Sequence, residues 1–449
     1  MSSTIESDNK PVEISIVGGG IIGLVLTLGL IKRNITVKVY EQAKSLREIG
    51  AGVAFTANAI RCMGMINPGI VEALRAVATA NGDADDPNDW LQWVDGYNQH
   101  TENPYDEKLL FKLYAGYRGF EGCHRAHFLD QLAKIVPKGV VEFNKRLDSI
   151  SQTGSEDKMV LKFTDGTSAE ADAVIGCDGI KSRVRQVILG NDNPASHPHY
   201  THKFAYRGLI PMNKAVEVMG EYKARNQHMH VGPKAHVLHF PVAGQTLMNF
   251  VAFVTDPNDW AFEKTMVAPA TRVEVQRDFA NFGPTVRDIT SLLPDTIDKW
   301  AIFDSFDYPA PYYNKGRVCL AGDAAHASSP HHGAGAGIGV EDALCLSTVM
   351  ELVVEACQGN KTSKSQALSL AFEAFNAVRR ERSQWLVNSS RSICEVYEWA
   401  DPVTGNDSEK CFKEIEWRSH KIWNFDIEGM LKDTTADYEK RLDASYSKN

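Results

Sequence analysis

The stretch Ile14-Ser15-Ile16-Val17-Gly18-Gly19-Gly20-Ile21-Ile22-Gly23 constrains this chain more than any other. A short run of β-branched residues ends in Gly18-x-Gly20-x-x-Gly23, and an apolar helical pattern follows. Strand, tight turn and helix in that order are the start of a dinucleotide-binding crossover. Gly18 permits the turn, Gly20 lets backbone approach a pyrophosphate, and Gly23 lets helix and strand pack closely. The helix start then offers unpaired N–H groups and a positive dipole end to phosphates. A second strand pattern, Ile35-Thr36-Val37-Lys38-Val39-Tyr40, ends at Glu41. That acid lies about 20 residues past the glycines, where a ribose hydroxyl acceptor is expected.

The remaining bulk properties narrow the class. With 449 residues and 43% hydrophobic content, the chain has material for two or three domains. A net charge of −9 and the lack of any long basic tract argue against a nucleic-acid partner. The eight cysteines contain no C-x-x-C pair and no metal-ligand spacing. Free thiols in a reducing, cytoplasmic setting are the expectation. Residues 1–10 are polar without an apolar signal core, and the apolar run 21–31 falls short of the roughly 20 residues a bilayer span needs. It reads as a buried helix in a soluble chain.

Along the chain, residues 56–77 look helical, and 81–105 have loop composition with Asp83, Asp85, Asp86, Asn88 and Asp89 clustered. A helix is predicted over 125–135, with short strands at 140–143, 147–150, 159–163 and 173–175. From 196 to 300 strand patterns dominate, at 203–210, 235–242 and 247–254, with Gly244-Gln245 as a hairpin turn. They predict an antiparallel sheet carrying its own helix over 268–282. A buried strand at 317–321 leads into Gly322-Asp323, followed by helices over 340–358 and 364–387 and a mixed helical tail from 389.

Two later stretches bear on which dinucleotide is bound. One is Ile175-Gly176-Cys177-Asp178-Gly179-Ile180-Lys181-Ser182-Arg183. The other runs from Arg317 through Gly322-Asp323-Ala324-Ala325-His326 and Pro330 to Gly333-Ala334-Gly335-Ala336-Gly337 and Glu341-Asp342-Ala343. Alone, Asp178 would be a turn-capping acid and Asp323 a helix cap. Together with the opening fingerprint, these stretches resemble the three signatures of single-component FAD-dependent aromatic hydroxylases, the p-hydroxybenzoate hydroxylase class. The resemblance implies an α/β fold: a Rossmann-like FAD-binding domain, an inserted antiparallel β-sheet substrate domain and a helical C-terminal tail. On that division, 11–80, 118–192 and 301–390 build the FAD-binding domain, 81–117 and 193–300 the substrate domain, and 391–449 the C-terminal helical region. It also implies Asp178 supporting FAD and the nicotinamide, Asp323 on the ribityl chain, and Arg125 near the FAD ribose or pyrophosphate. Backbone N–H groups of Gly333, Ala334, Gly335 and Ala336 would face the flavin pyrimidine edge. The family usually has Gly-Gln-Gly-Met-Asn there; this chain keeps the backbone role without two polar side chains.

A closer resemblance rests on 47–58, which contains the glycine turn Gly50-Ala51-Gly52 and places Gly52 among the expected cofactor-binding residues, on His197-Pro198-His199-Tyr200, on 202–208 and on Asp307-Tyr308-Pro309-Ala310-Pro311. These resemble a fungal subgroup that hydroxylates and dearomatises resorcinol-type polyketides in tropolone, azaphilone and sorbicillinoid biosynthesis; salicylate hydroxylase is a more distant relative. The resemblance implies NADPH or NADH as reductant, O₂, and oxygen transfer from a C4a-hydroperoxide of reduced flavin to a small phenolic substrate. The protein must then make the ring nucleophilic, and a cation beside the phenol favours phenolate. Arg207, on a predicted strand, is the best candidate, the alternative being a salt-bridged strand arginine. The subgroup often has Tyr where this chain reads Leu238-His239-Phe240-Pro241. Phe240 can pack on a substrate ring but cannot donate, so Tyr114, Tyr117, Tyr206 and His239 are candidate donors. Metal binding by His326, His331 and His332, or by His228 and His230, is not expected from their spacing. Dearomatising and decarboxylative, salicylate-type hydroxylation both need the phenolate, so these motifs leave both open. A flavin-binding redox protein without hydroxylase activity is the alternative from another class. Monomer and homodimer also stay open.

Overall fold

The fingerprint strand, Glu13–Val17, stands inside a six-stranded sheet of order Asn314–Lys315, Val318–Leu320, Ala173–Gly176, Glu13–Val17, Thr36–Tyr40, Val141–Glu142. All its pairs are parallel except the outermost hairpin, Asn314–Lys315 with Val318–Leu320. The computed structural model describes residues 11–46, 52–82, 90–98, 107–116, 118–152, 158–262, 265–359 and 361–446. Helix Ile21–Ile31 is apolar on nearly every side because it is enclosed by this sheet and by helix Gly335–Gln358. Contact between the two helices is close: a Cβ at Gly29 would meet Ser347 Oγ at 2.2 Å. The core built here takes in Ile14, Ile16, Leu24, Ile175, Leu320, Leu344 and Phe372.

A second sheet has eight strands, ordered Val267–Thr271, Thr296–Asp304, His199–Pro211, Leu247–Thr255, Ala235–Val242, His228–Gly232, Trp90–Asp95, Leu109–Tyr114. It is antiparallel, as expected, except that His228–Gly232 pairs Trp90–Asp95 in parallel. Trp90–Asp95 also corrects the loop reading of 81–105: its apolar residues Trp90, Leu91, Trp93 and Val94, interrupted only by Gln92, sit beside a very polar flank. Residues around Phe204, Tyr206, Val237 and Phe250 face helices Met212–Met219, Arg272–Asp278 and Pro284–Ser291. The opposite face packs Trp93, Met229 and Val231 against Ile393, Val396 and Tyr397 of helix Lys364–Tyr397.

Two helix expectations need correction. The span 56–77 is two helices, Ala57–Ile66 and Pro68–Arg75, because Asn67 adopts an extended backbone, caps Gly69 N with Oδ1 at 3.0 Å and is followed by a helix-starting proline. The span 268–282 opens as the edge strand Val267–Thr271. Its helix, Arg272–Asp278, begins only after Thr271 and Glu274 form a capping box. The predicted helices over 340–358 and 364–387 are longer, Gly335–Gln358 and Lys364–Tyr397, and the tail continues as Ser408–Trp423 and Ile427–Tyr446. The expected hairpin turn is present, with Gly244 and Gln245 at φ +61° and +66°. Among the described residues no helix is long and apolar enough to cross a membrane.

Candidate active site

The glycine turn opens onto a cavity of about 600 Å³. Gly18 has φ +106°, and a Cβ there would lie 2.4 Å from the carbonyl oxygen of Cys177; a Cβ at Gly23 would lie 2.0 Å from Gly18 O. Neither position admits a side chain, so strand, turn and helix close tightly beneath Gly20. Glu41 is held by two backbone donors: Gly19 N gives to Oε2 and Ala43 N to Oε1, both at 2.7 Å. A carboxylate has further acceptor capacity, so Glu41 is oriented and still able to take ribose hydroxyls. Arg125, Lys145, Arg146, Lys181 and Arg183 also line this cavity, a basic setting for a pyrophosphate in an acidic chain.

A smaller cavity of about 290 Å³ adjoins it, and both are lined by Gly20, Arg125, Cys177 and Gly179. One wall of the smaller cavity is Asp323, Pro330 and the run Gly333, Ala334, Gly335 and Ala336. That run opens helix Gly335–Gln358, whose first turn has neither a side-chain cap nor an acid. Its free N–H groups and dipole favour negative charge on whatever lies there. Gly52, Val53, Ala54 and Phe120, from the ribbon Gly52–Thr56 with Phe120–His124, close another side.

Buried polar bonds tie the motifs together. Asp178 caps helix Arg183–Leu189, accepting from Ser182 Oγ (2.5 Å), Arg183 N (2.7 Å) and Val184 N (3.1 Å). Its carboxylate therefore orders the turn, while the residue lines the larger cavity. Arg185 reaches from the same helix to the carbonyls of Ala324 and Ala325, holding the short helix that Asp323 begins. Asp342 accepts from Gly322 N (3.0 Å), His326 Nε2 (2.6 Å) and Arg379 Nε (2.9 Å). Burial pushes its carboxyl up, but His326 and Arg379 outweigh that and hold it below the ordinary carboxylate value. Glu341 binds Asn58 Nδ2 and Arg382 at 2.8 Å. Sequence reasoning singled out Glu341 and Asp342 within a motif but missed Arg379, whose partners lie 37 and more residues away on another helix.

The eight-stranded sheet supplies the remaining wall, with Arg207, Leu238, Phe240, Asn249, Val251 and Phe253 all on one face. Phe240 fills the space that Gly52 leaves and meets Phe120 edge-on, with ring centroids 5.7 Å apart. Arg207 lies over the Trp300 ring, 5.3 Å from its centroid. Burial and the nearby Arg125 lower its pKa to about 10, so it is charged at neutral pH. It makes no ion pair among the described residues, and its buried Nε has no hydrogen-bond partner there.

Two candidate donors are corrected by strand parity, since successive side chains point to opposite faces. Tyr206 faces away from the cavity and donates to Asp278 Oδ2 at 2.7 Å. His239 also points to the far face, buried beside His228 and His230 at ring distances of 5.4 and 5.1 Å. Tyr114 is half exposed and packs on Trp90. Tyr117 lies outside the described residues, as do 47–51. Asn249 was not singled out, although its register opposite Phe240 puts it on the cavity face. His236, Cys394 and Glu398 come within reach of a single ion, but Lys203 Nζ already stands 2.6 Å from Glu398 and supplies the cation.

A glycine cradle that no Cβ can enter, an oriented acid at the second strand and two joined cavities suit an extended flavin dinucleotide. The smaller cavity leaves room for a substrate against the second sheet. The fold and site thus define a flavin-dependent enzyme with a separate substrate wall. Residues 11–362 match the FAD binding domain family, and the chain belongs to it. It is 54% identical over 436 residues to the FAD-dependent monooxygenase eupB of Phoma sp, covering 94% of this chain and 97% of that one. It is 52% identical over 446 residues to the salicylate hydroxylase asL1 of Sarocladium schorii, covering 97% and 92%. A solved salicylate hydroxylase substrate complex superposes with a TM-score of 0.81 at 30% identity, covering 94% and 98%. The chain is a single-component FAD-dependent aromatic monooxygenase of the type found in fungal secondary metabolism.

Proposed function

We propose that this enzyme hydroxylates an acylated, resorcinol-type phenol at a substituted ring carbon with loss of aromaticity, using NADPH or NADH as reductant. The observation that carries the reading is Arg207, a charged guanidinium on the wall of an otherwise largely apolar cavity, with no carboxylate paired to it among the described residues. A half-buried cation without an anion is costly until a negative group arrives. A phenol seated there loses its proton more readily, and the phenolate ring is the stronger nucleophile. Bound FAD, once reduced, supplies the activation of O₂ and the electrophilic oxygen. Phe240, Val251 and Phe253 pack the ring and keep water from it. Among the described lining residues Asp323 is the one carboxylate, and no histidine or lysine joins it. The cavity therefore offers little to pull a proton from the attacked carbon, which suits a carbon that carries none.

The salicylate-hydroxylating relatives favour a second reading, in which the anion is a salicylate-like acid and CO₂ is lost. One experiment separates the two: the holoenzyme is given NADPH or NADH and either a ring-methylated resorcinyl ketone or salicylate, and the products are weighed. Gain of one oxygen with loss of aromatic absorbance from the ketone supports the proposal. Release of CO₂ from salicylate with the ketone untouched refutes it. Arg207→Ala should keep its flavin and lose hydroxylation about 100-fold or more; full turnover would remove Arg207 from the site.

A further inference from the structure

We propose that Asn249 donates a hydrogen bond to a second oxygen of the substrate, the acyl carbonyl beside the phenolate, and so selects acylphenols. This deepens the reading above and rests on it. Asn249 stands directly across from Phe240 in the antiparallel pair Leu247–Thr255 with Ala235–Val242, so the two side chains share the cavity face. The residue is 3% exposed. Gly52 N donates to its Oδ1 at 3.2 Å, which fixes the amide: a flipped amide would set one donor against another. Its Nδ2 then points elsewhere, and it is buried without a hydrogen-bond partner among the described residues. A buried amide donor left unpaired is expensive, so its persistence points to an acceptor that arrives with a ligand.

The second orphan donor on this wall is Arg207 Nε. Arg207 pairs with Val251, and Asn249 is the next residue along the same face, a diagonal neighbour at about 7–8 Å between backbones. Both side chains are long enough to converge on one aromatic ligand. A charged donor and a neutral donor at that spacing match a ring with a phenolate oxygen and an adjacent carbonyl oxygen. The opposite wall, with Asp323 and the glycine-rich run, is where the flavin fits, so Asn249 faces the substrate side. The pairing also accounts for Phe240: the wall does not need a hydroxyl at that position if its cross-strand neighbour donates.

The test is a cycle of two ligands and two enzymes. Binding of a 2-acyl resorcinol and its 2-alkyl counterpart to oxidised holoenzyme is read from the change in flavin absorbance, without reductant. Wild type should bind the acyl compound about tenfold more tightly, and Asn249→Leu should show less than about a twofold preference. Asn249→Asp keeps the acceptor for Gly52 N and reads the same preference should the leucine variant lose its flavin. Equal preference in wild type and variants, or none in wild type, overturns the role of Asn249 while ketone hydroxylation leaves the functional reading standing. Loss of flavin from both variants would assign the amide to the cofactor and overturn it too. If wild type binds neither resorcinol yet converts salicylate, the functional reading fails first and this inference falls with it.

Discussion

Replacing Arg379 by methionine should destabilise the flavin site more than the protein as a whole. The guanidinium is fully buried, with Nε 2.9 Å from Asp342 Oδ1 and Nη2 2.9 Å from Glu341 Oε2. Methionine keeps much of the volume but leaves the carboxylates short of a cation. Glu341 retains Arg382 at 2.8 Å, whereas among the described residues Asp342 retains only Gly322 N and His326. Removing one member of a buried ion cluster costs about 3–5 kcal/mol. At about 2.1 cal/mol/K per residue the unfolding entropy of a chain this long is about 0.9 kcal/mol/K, so Tm should fall by about 3–5 °C. The pH dependence gives a sharper signature. In wild type, Asp342 is held below its ordinary value, so its contribution is present above the unfolded pKa of about 3.9 and lost as pH falls through the folded one. Without Arg379, burial is less opposed and the folded-state pKa rises. Where it exceeds the unfolded value the folded state holds the extra proton, and stability falls as pH increases. The deficit should therefore be larger at about pH 8 than at about pH 5.5. Melts followed by circular dichroism and by flavin fluorescence at both pH values provide the measurement. Because Asp342 also holds Gly322 next to Asp323, flavin should leave before the fold melts. Adding Asp342→Asn should restore part of the loss. A Tm within about 1 °C of wild type, or a deficit that shrinks as pH rises, would refute the reasoning.

Two further outcomes follow from the geometry. Gly18→Ala puts a Cβ 2.4 Å from Cys177 O at φ +106°, so the variant should purify nearly free of flavin, read from the visible-to-ultraviolet absorbance ratio. A full complement of flavin would mean that the turn relaxes. Tyr206→Phe removes a bond to Asp278 on the far face, costing about 1 kcal/mol in unfolding while leaving hydroxylation unchanged. A loss of kcat like that of Arg207→Ala would put Tyr206 back at the cavity.

The glycine turn, Glu41 and the parallel sheet were legible because each follows from local chemistry at fixed spacing. Arg207 and Phe240 were legible as residue types, but their companions were misassigned through parity. Tyr206 beside Arg207 and His239 beside Phe240 must face the other way on a pleated strand, and that signal was present in the sequence. Asn67-Pro68 and the Thr271–Glu274 pair were likewise readable stop and start signals. The polar flank hid Trp90–Asp95, since loop composition outweighed a short apolar run broken by Gln92. What sequence could not supply is pairing across distance. The Arg379, Glu341 and Asp342 cluster joins two helices, and the amide orientation of Asn249 depends on a backbone N–H nearly 200 residues away.

Helix Lys364–Tyr397 has 34 residues and is about 50 Å long. Its first third lies in the core beneath the parallel sheet, through Ala367, Phe372 and Phe375, and its last turns lie against the eight-stranded sheet, through Ile393 and Tyr397. Near its end, Arg391 grips Asp304 with two bonds of 2.7 and 3.0 Å, and Glu398 just beyond it holds Lys203. One unbroken rod is thus anchored in both halves like a strut across a box. Swinging the halves apart would require snapping the rod or tearing out one anchored end.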